Sequence, residues 1–69
     1  MRTYSAREVL AAMRRAGFEQ VSQRGSHIKL RSPAGRTAIV PNHTEIARGR
    51  MRSILRQADL TLGEFEKLL

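Results

Sequence analysis

A chain of 69 residues without a cysteine must hold its fold by side-chain packing rather than by covalent cross-links. Domains commonly reach about 100–150 residues, so we expect one domain over residues 1–69. The absence of cysteine excludes a disulfide framework and a thiolate metal site. A core this small supplies only about 3–5 kcal/mol of stability, and a large two-sided catalytic cleft is not expected.

The first local signal is a helix start close to the N-terminus. Ser5 and Glu8 have the spacing of a capping box, in which each side chain accepts a hydrogen bond from the main-chain N–H of the other residue. Apolar residues at helical spacing follow, and Gly17 is a typical C-terminal stop. The pattern predicts a first helix over residues 6–16.

Three short strands are expected after this helix. They cover, in order, residues 18–23, 27–31 and 36–40. The second strand alternates, with Ile28 and Leu30 facing the core. His27, Lys29 and Arg31 share its other face. The turns between the strands are short, which favours antiparallel neighbours, while the phase of the third strand stays open because its apolar residues are contiguous.

A second helix is expected to begin at Gly49 or Arg50 and to end at Ala58. Its apolar stripe recurs at helical spacing. An earlier start near Thr44 is the alternative, and it would place Gly49 inside the helix at a cost of about 1 kcal/mol.

A second capping box, formed by Thr61 and Glu64, predicts a short third helix near the C-terminus. The expected order is therefore α-β-β-β-α with a short C-terminal helix. Helices on one face of a small antiparallel sheet form a two-layer α+β domain. The other face of the sheet is left bare in such a domain.

Positive charge dominates most of the chain. The formal net charge is +7, and 11 of the 13 cationic residues are arginine. Residues 1–58 carry 12 Lys+Arg and 3 acids, a net +9, whereas residues 59–69 carry a net −2. This balance favours a polyanionic partner, most simply nucleic acid. Solvated basic faces and an acidic protein partner are the alternatives.

No membrane span or export signal is expected, because the longest apolar run, from Val9 to Met13, is interrupted by charge on both sides. A cytoplasmic location is the default expectation.

His27 is the first candidate for chemistry. An ordinary imidazole titrates at about pH 6.5, which suits proton transfer near neutrality. RNA can be cleaved without a metal when its 2′-hydroxyl attacks the adjacent phosphate, provided that protons are removed and supplied. Lys29 lies about 6.6–6.8 Å further along the same face, and Arg31 a similar step beyond it. The alternative is an ordinary surface histidine.

A second histidine, His43, lies in a loop between the third strand and the second helix. It is a candidate for proton transfer or phosphate binding, but a role in fixing the turn is favoured.

Arginines also surround the start of the second helix. Cations oppose the positive end of a helix dipole, so their presence there indicates a bound anion. The arginines around this helix are Arg48, Arg50, Arg52 and Arg56, and the first three lie at or just before its first turn. The first helix adds Arg7, Arg14 and Arg15 away from its apolar stripe, and solvated basic faces are the alternative for both helices.

Three segments together resemble the HicA family of toxins. They are Arg24-Gly25-Ser26-His27, Val40-Pro41-Asn42-His43, and Gly49 leading into Ser53-Ile54-Leu55-Arg56-Gln57-Ala58. The resemblance implies a double-stranded-RNA-binding-domain-like fold and a metal-independent ribonuclease that cuts messenger RNA with one histidine, which matches His27 here. It also implies a HicB antitoxin that covers this histidine. Members often have Gly-Thr-Leu where this chain has Gly49-Arg50-Met51, which adds charge.

The sequence thus predicts a HicA-type endoribonuclease with no cofactor and no metal, in which His27 acts as general acid or base. The residues expected to bind RNA are Arg24, Ser26, Lys29, Arg31, Arg36 and Arg50. Two other hypotheses remain open. One is a non-catalytic module that binds double-stranded RNA, and the other is an interaction protein whose arginines serve an acidic partner.

Overall fold

The computed structural model describes residues 2–69 and has the expected α-β-β-β-α order followed by a short C-terminal helix. The elements are α1 (Ala6–Arg15), β1 (Glu19–Arg24), β2 (His27–Arg31), β3 (Thr37–Pro41), α2 (Arg48–Ala58) and α3 (Leu62–Lys67). The molecule measures 27 × 26 × 17 Å, so it is flat. This thickness fits one sheet layer under one helix layer, as predicted for a small α+β fold.

Helix α1 begins at the predicted capping box. The main-chain N–H of Glu8 donates to the Ser5 hydroxyl over 3.1 Å, and the N–H of Ser5 donates to the Glu8 carboxylate over 3.0 Å. The helix ends one residue earlier than expected, with Ala16 as its C-cap. Gly17 then adopts a φ of 99°, a value that glycine accommodates without strain.

The sheet is antiparallel with strand order β1-β2-β3. The predicted alternation of β2 is confirmed, with Ile28 and Leu30 buried. Register settles the phase of β3: Ala38 and Val40 lie opposite these two residues and are also buried. Ile39 lies on the other face.

Strand β1 lies one residue later than the sequence indicated, because Phe18 is buried ahead of the strand rather than paired within it. The register shifts between Gln20 and Ser22, which is a β-bulge at Val21. Val21 is 47% exposed, and every residue of β1 is exposed. The helices pack mainly on β3, so the helix layer leaves β1 uncovered.

Helix α2 begins at Arg48, slightly before the predicted start at Gly49 or Arg50, and Gly49 therefore lies in its first turn. Ala47 is the N-cap residue and makes no side-chain capping hydrogen bond. The helix ends at Ala58, and the C-cap residue Asp59 has a φ of 58°.

Helix α3 confirms the second capping box, since the N–H of Glu64 donates to Thr61 and the N–H of Thr61 donates to Glu64. It packs back on the N-terminal segment: the Tyr4 hydroxyl donates to the Glu66 carboxylate over 2.9 Å, and the Tyr4 and Phe65 rings meet edge to face at 5.0 Å. Burial of the Tyr4 phenol raises its pKa, and the hydrogen bond to Glu66 acts in the same direction.

One hydrophobic core lies between the two layers. It draws on all three helices, on β2 and β3, and on the segments that flank them. Its largest fully buried side chains are Tyr4, Phe65, Met13, Ile46, Met51, Ile54, Val9 and Val40. Within residues 2–69 no polar or charged residue is buried, and no helix is long and apolar enough to cross a membrane.

Candidate functional site

The hairpin between β1 and β2 positions His27. Only Gly25 and Ser26 separate the strands, and Gly25 has a φ of 58°. Glycine at the first central position of a two-residue hairpin is typical of a type II′ turn, whose twist matches that of the strands. Arg24 and His27 flank this turn and lie opposite each other in register. Side chains of directly opposite residues share one face, with Cβ atoms about 4.5–5.5 Å apart.

The sheet face turned away from the helices, called here the outer face, carries three rows of side chains. Rows two residues apart along a strand are separated by about 6.6–6.8 Å. From the turn end, the rows are Arg24–His27–Pro41, then Ser22–Lys29–Ile39, then Glu19–Arg31–Thr37. The imidazole of His27 is thus exposed at one end of a line that continues through Lys29 and Arg31, as the alternation of β2 predicted.

The cations of the outer face are not neutralised within the part of the chain that the structure describes. Arg24, Lys29 and Arg31 form no ion pair there, although Glu19 lies opposite Arg31 in register. An exposed cationic row without internal partners attracts an extended anion.

Ser26 fixes the turn to the loop that follows β3. Its carbonyl oxygen accepts a hydrogen bond of 2.6 Å from the main-chain N–H of Asn42. The side chain of Ser26 is exposed beside His27. The sequence did not predict this contact of Asn42, because in the Pro41-Asn42-His43 segment only the histidine was a candidate for function.

His43 acts structurally through its main chain. Its carbonyl oxygen accepts from the N–H of Ala6 at the start of α1, and its own N–H donates to the carbonyl of Pro41, each over 2.9 Å. These main-chain contacts hold the turn, and the role of the imidazole stays a prediction. The imidazole of His43 is exposed at the same end of the molecule as His27.

Arg36 lies apart from His27, at the opposite end of the sheet. It precedes Thr37, which pairs with the last residue of β2, and its guanidinium is 3.5 Å from the Asp59 carboxylate. Both side chains are exposed, so this ion pair contributes little stability.

Arg50 is exposed in the first turn of α2, on the helix layer. The contact between Asp59 and Arg36 places the end of α2 beside the start of β3. The start of α2 therefore points toward the end of the sheet that carries His27. Arg50 is at that end of the molecule but not in the outer-face row.

Metal ligands are not grouped in residues 2–69, which contain no cluster of three or more His, Cys, Asp or Glu side chains. The chemistry that the outer face offers rests on one imidazole, several hydroxyls and several cations.

A family model described as "HicA toxin of bacterial toxin-antitoxin" matches residues 6–60 of the 69-residue chain. The chain belongs to the HicA toxin family. The match runs from the start of α1 to the second residue after α2, so it includes the hairpin with His27 and leaves out α3. A search of curated proteins finds no match. As a HicA-family protein, the chain is the toxin of a toxin–antitoxin system.

Proposed function

We propose that this HicA-family toxin is a metal-independent endoribonuclease that cleaves messenger RNA with His27. Arg24, Ser26, Lys29 and Arg31 bind the RNA around the cleaved bond. Arg36 and Arg50 contact it farther away. The toxin acts in the cytoplasm, where messenger RNA is translated, and so inhibits growth.

The observation that supports this proposal is the exposed His27, opposite Arg24 and one row from Lys29. A phosphate over the outer face can contact both cations while a ribose hydroxyl reaches the imidazole. General acid–base groups act at about 2.6–3.2 Å from the proton they move, so an accessible ring is the first requirement.

The cleavage is an internal transfer at phosphorus. The 2′-oxygen loses its proton and forms a bond to the adjacent phosphorus, and the bond from phosphorus to the 5′-oxygen of the next nucleotide breaks. The 5′-oxygen takes up a proton, so the products are a 2′,3′-cyclic phosphate and a 5′-hydroxyl. His27 carries one of these two proton transfers, and Arg24 and Lys29 stabilise the negative charge that builds on the phosphoryl oxygens.

The partner that follows from this assignment is a HicB-type antitoxin that covers His27 and blocks access of RNA to the outer face. The outer face around the cationic row supports docking there, since the helices pack on the opposite face of the sheet and Arg24, His27 and Arg31 are exposed.

A paired substitution tests the catalytic assignment. His27→Ala should lower the RNA cleavage rate at least about 100-fold, the lower range for loss of a general acid or base. His43→Ala is the matched control, because its imidazole is exposed at the same end while its structural contacts are main-chain. It should stay within a few-fold of the parent. Cleavage by His27→Ala at the parental rate would contradict the assignment.

Three further outcomes separate the alternatives. Cleavage by the parent in EDTA supports the metal-independent mechanism, and loss of cleavage in EDTA contradicts it. Salt-sensitive RNA binding without turnover, with growth inhibition that survives His27→Ala, indicates the non-catalytic RNA-binding module. No RNA affinity at physiological salt indicates the pure interaction protein.

Hydrogen exchange tests the docking surface of the antitoxin. Binding should slow amide exchange in β2, from Ile28 to Arg31, relative to the free toxin. Exchange in β2 that stays unchanged while the complex forms would place the antitoxin elsewhere.

A further inference from the structure

A groove runs along the helix side of the molecule, between α1 and the uncovered strand β1. The groove forms because no helix packs over β1. Gln20 therefore remains exposed, although it lies opposite the buried Leu30. We call it the α1 groove and define it by Arg7, Leu10, Arg14, Gln20, Leu30 and Asn42.

The α1 groove consists of hollows that adjoin one another, because consecutive hollows are lined in part by the same residues. The hollow beside β1, of about 300 Å³, shares Leu10 and Arg14 with a hollow further along α1. That second hollow shares Arg7 and Asn42 with a third, whose lining includes His43. The groove therefore leads from β1 to the end of the molecule where His27 lies.

Its chemistry fits an extended anion with flat apolar groups. Arg7 and Arg14 are exposed and have no ion-pair partner among residues 2–69. Seven residues apart on one helix, they are separated by about 10 Å along its axis. Leu10 and Leu30 form an apolar floor, and Gln20 brings an amide that can donate to and accept from a base edge.

Asn42 joins the α1 groove to the candidate site. Asn42 lines the groove, and its main-chain N–H donates to the Ser26 carbonyl beside His27. An RNA strand that passes over the β1–β2 turn can thus contact the outer face and the groove in succession. Glu19 is the acidic side chain at the far end of the groove.

We propose that the α1 groove binds a single-stranded RNA segment next to the cleaved phosphate and contributes to the choice of cleavage sequence, an inference that rests on the proposed function. Gln20 and Asn42 read base edges, and Arg7 and Arg14 hold phosphates. A single strand is favoured over a duplex because the amides of Gln20 and Asn42 can then reach the edges of unpaired bases, which single-stranded RNA presents.

The test measures RNA affinity in two variants that each lose two arginines and therefore the same charge. Both carry His27→Ala, so that the labelled single-stranded RNA stays intact. The groove variant carries Arg7→Gln and Arg14→Gln and so loses both cations of the groove. The α2 variant, which is the control, carries Arg52→Gln and Arg56→Gln and loses two exposed arginines of α2. At 150 mM salt, the groove variant should bind at least about 10-fold more weakly, and the α2 variant within about 3-fold of its parent. The slope of log K against log salt should fall by about 1.4 in the groove variant alone.

Equal losses in the two variants would overturn the groove proposal in favour of unspecific attraction. It would also be overturned if the groove substitutions weakened only duplex RNA binding or only binding of the antitoxin. In a protein with an intact His27, Gln20→Ala and Asn42→Ala should redistribute the cleavage positions along a messenger RNA. An unchanged cleavage pattern would contradict base reading by the groove.

The two proposals fail in different ways. Groove-dependent RNA binding by a protein that never cleaves RNA contradicts the proposed function and leaves the groove as an RNA site. Cleavage that depends on His27 but is indifferent to every groove substitution contradicts the groove alone.

Discussion

The main-chain N–H of Ile39 donates a hydrogen bond of 2.8 Å to the side-chain oxygen of Gln57. Ile39 lies on β3, an edge strand of the sheet, and Gln57 lies on α2. An edge strand exposes unpaired main-chain groups that can pair with another chain, and a side chain that binds one of them reduces that tendency. The same bond fixes α2 beside β3 and so helps to set the helix layer over the core.

Removal of this contact should destabilise the protein measurably. We expect Gln57→Ala to lower the free energy of unfolding by about 0.5–1.5 kcal/mol, the usual worth of one hydrogen bond. Arg56→Ala, at the neighbouring exposed position of α2, is the control and should change it by less than about 0.5 kcal/mol. Urea denaturation followed by circular dichroism measures both. Equal midpoints for the two variants would show that the Ile39 contact contributes nothing.

Two glycine-to-alanine substitutions should have opposite effects. A Cβ added at Gly25 or at Gly49 meets no atom within 4 Å, so neither substitution creates a clash with neighbouring residues. Gly25 has a positive φ, which costs other residues about 1–2 kcal/mol, whereas Gly49 is helical. Gly25→Ala should therefore destabilise the protein and distort the Arg24–His27 pair. Gly49→Ala should stabilise it by up to about 1 kcal/mol.

Thermal unfolding of both variants, with RNA cleavage measured alongside, tests this contrast. A Gly25→Ala protein with parental stability would contradict the strain at the turn. A Gly49→Ala protein less stable than the parent would contradict its place in a regular helical turn.

The local signals in the sequence predicted most of the fold. Each capping box involves residues three apart, and both boxes are present where the sequence placed them. The alternation of β2 predicted which of its faces is buried. The start of β1 was misplaced because an apolar Phe18 does not distinguish a paired strand residue from a core residue just before it. The bulge at Val21 depends on pairing with β2 and has no local signature.

The candidate site was predictable only in part. Alternation placed His27, Lys29 and Arg31 on one face, but Arg24 joins them through the register of the hairpin. Arg36 is distant from His27, because it lies beside the opposite end of β2, next to the pair formed by Arg31 and Thr37. The α1 groove depends on where the helix layer ends, which is set by long-range packing.

Acid should weaken the two capping boxes. The hydrogen bond from the Arg2 guanidinium lowers the pKa of Glu8, and the hydrogen bond from the main chain of Ser5 lowers it to a smaller extent. The hydrogen bond from the main chain of Thr61 lowers the pKa of Glu64. A carboxylate with a lowered pKa in the folded state stabilises the fold above its unfolded pKa of about 4.3. This contribution is lost as the pH falls through the lower folded value.

The melting temperature should therefore fall as the pH drops below about 5, and less steeply in the Glu8→Gln, Glu64→Gln double variant. Glu45→Gln is the control, since Glu45 is exposed and has no hydrogen bond or ion pair among residues 2–69. Parallel pH profiles of the double variant and the parent would contradict the role of the boxes.

The cations of the outer face should affect cleavage according to their row. Arg24 lies opposite His27, so Arg24→Gln should lower kcat about 10-fold or more through lost charge stabilisation. Arg31 lies two rows from His27, so Arg31→Gln should mainly raise KM. Lys29→Gln should lower kcat by less than Arg24→Gln does and by more than Arg31→Gln does. Arg36→Gln should change kcat least, because Arg36 is at the far end of the sheet beside Asp59. Steady-state kinetics at fixed salt measure kcat and KM for the four variants. Equal losses of kcat in all four would mean that the cations attract RNA regardless of their distance from His27.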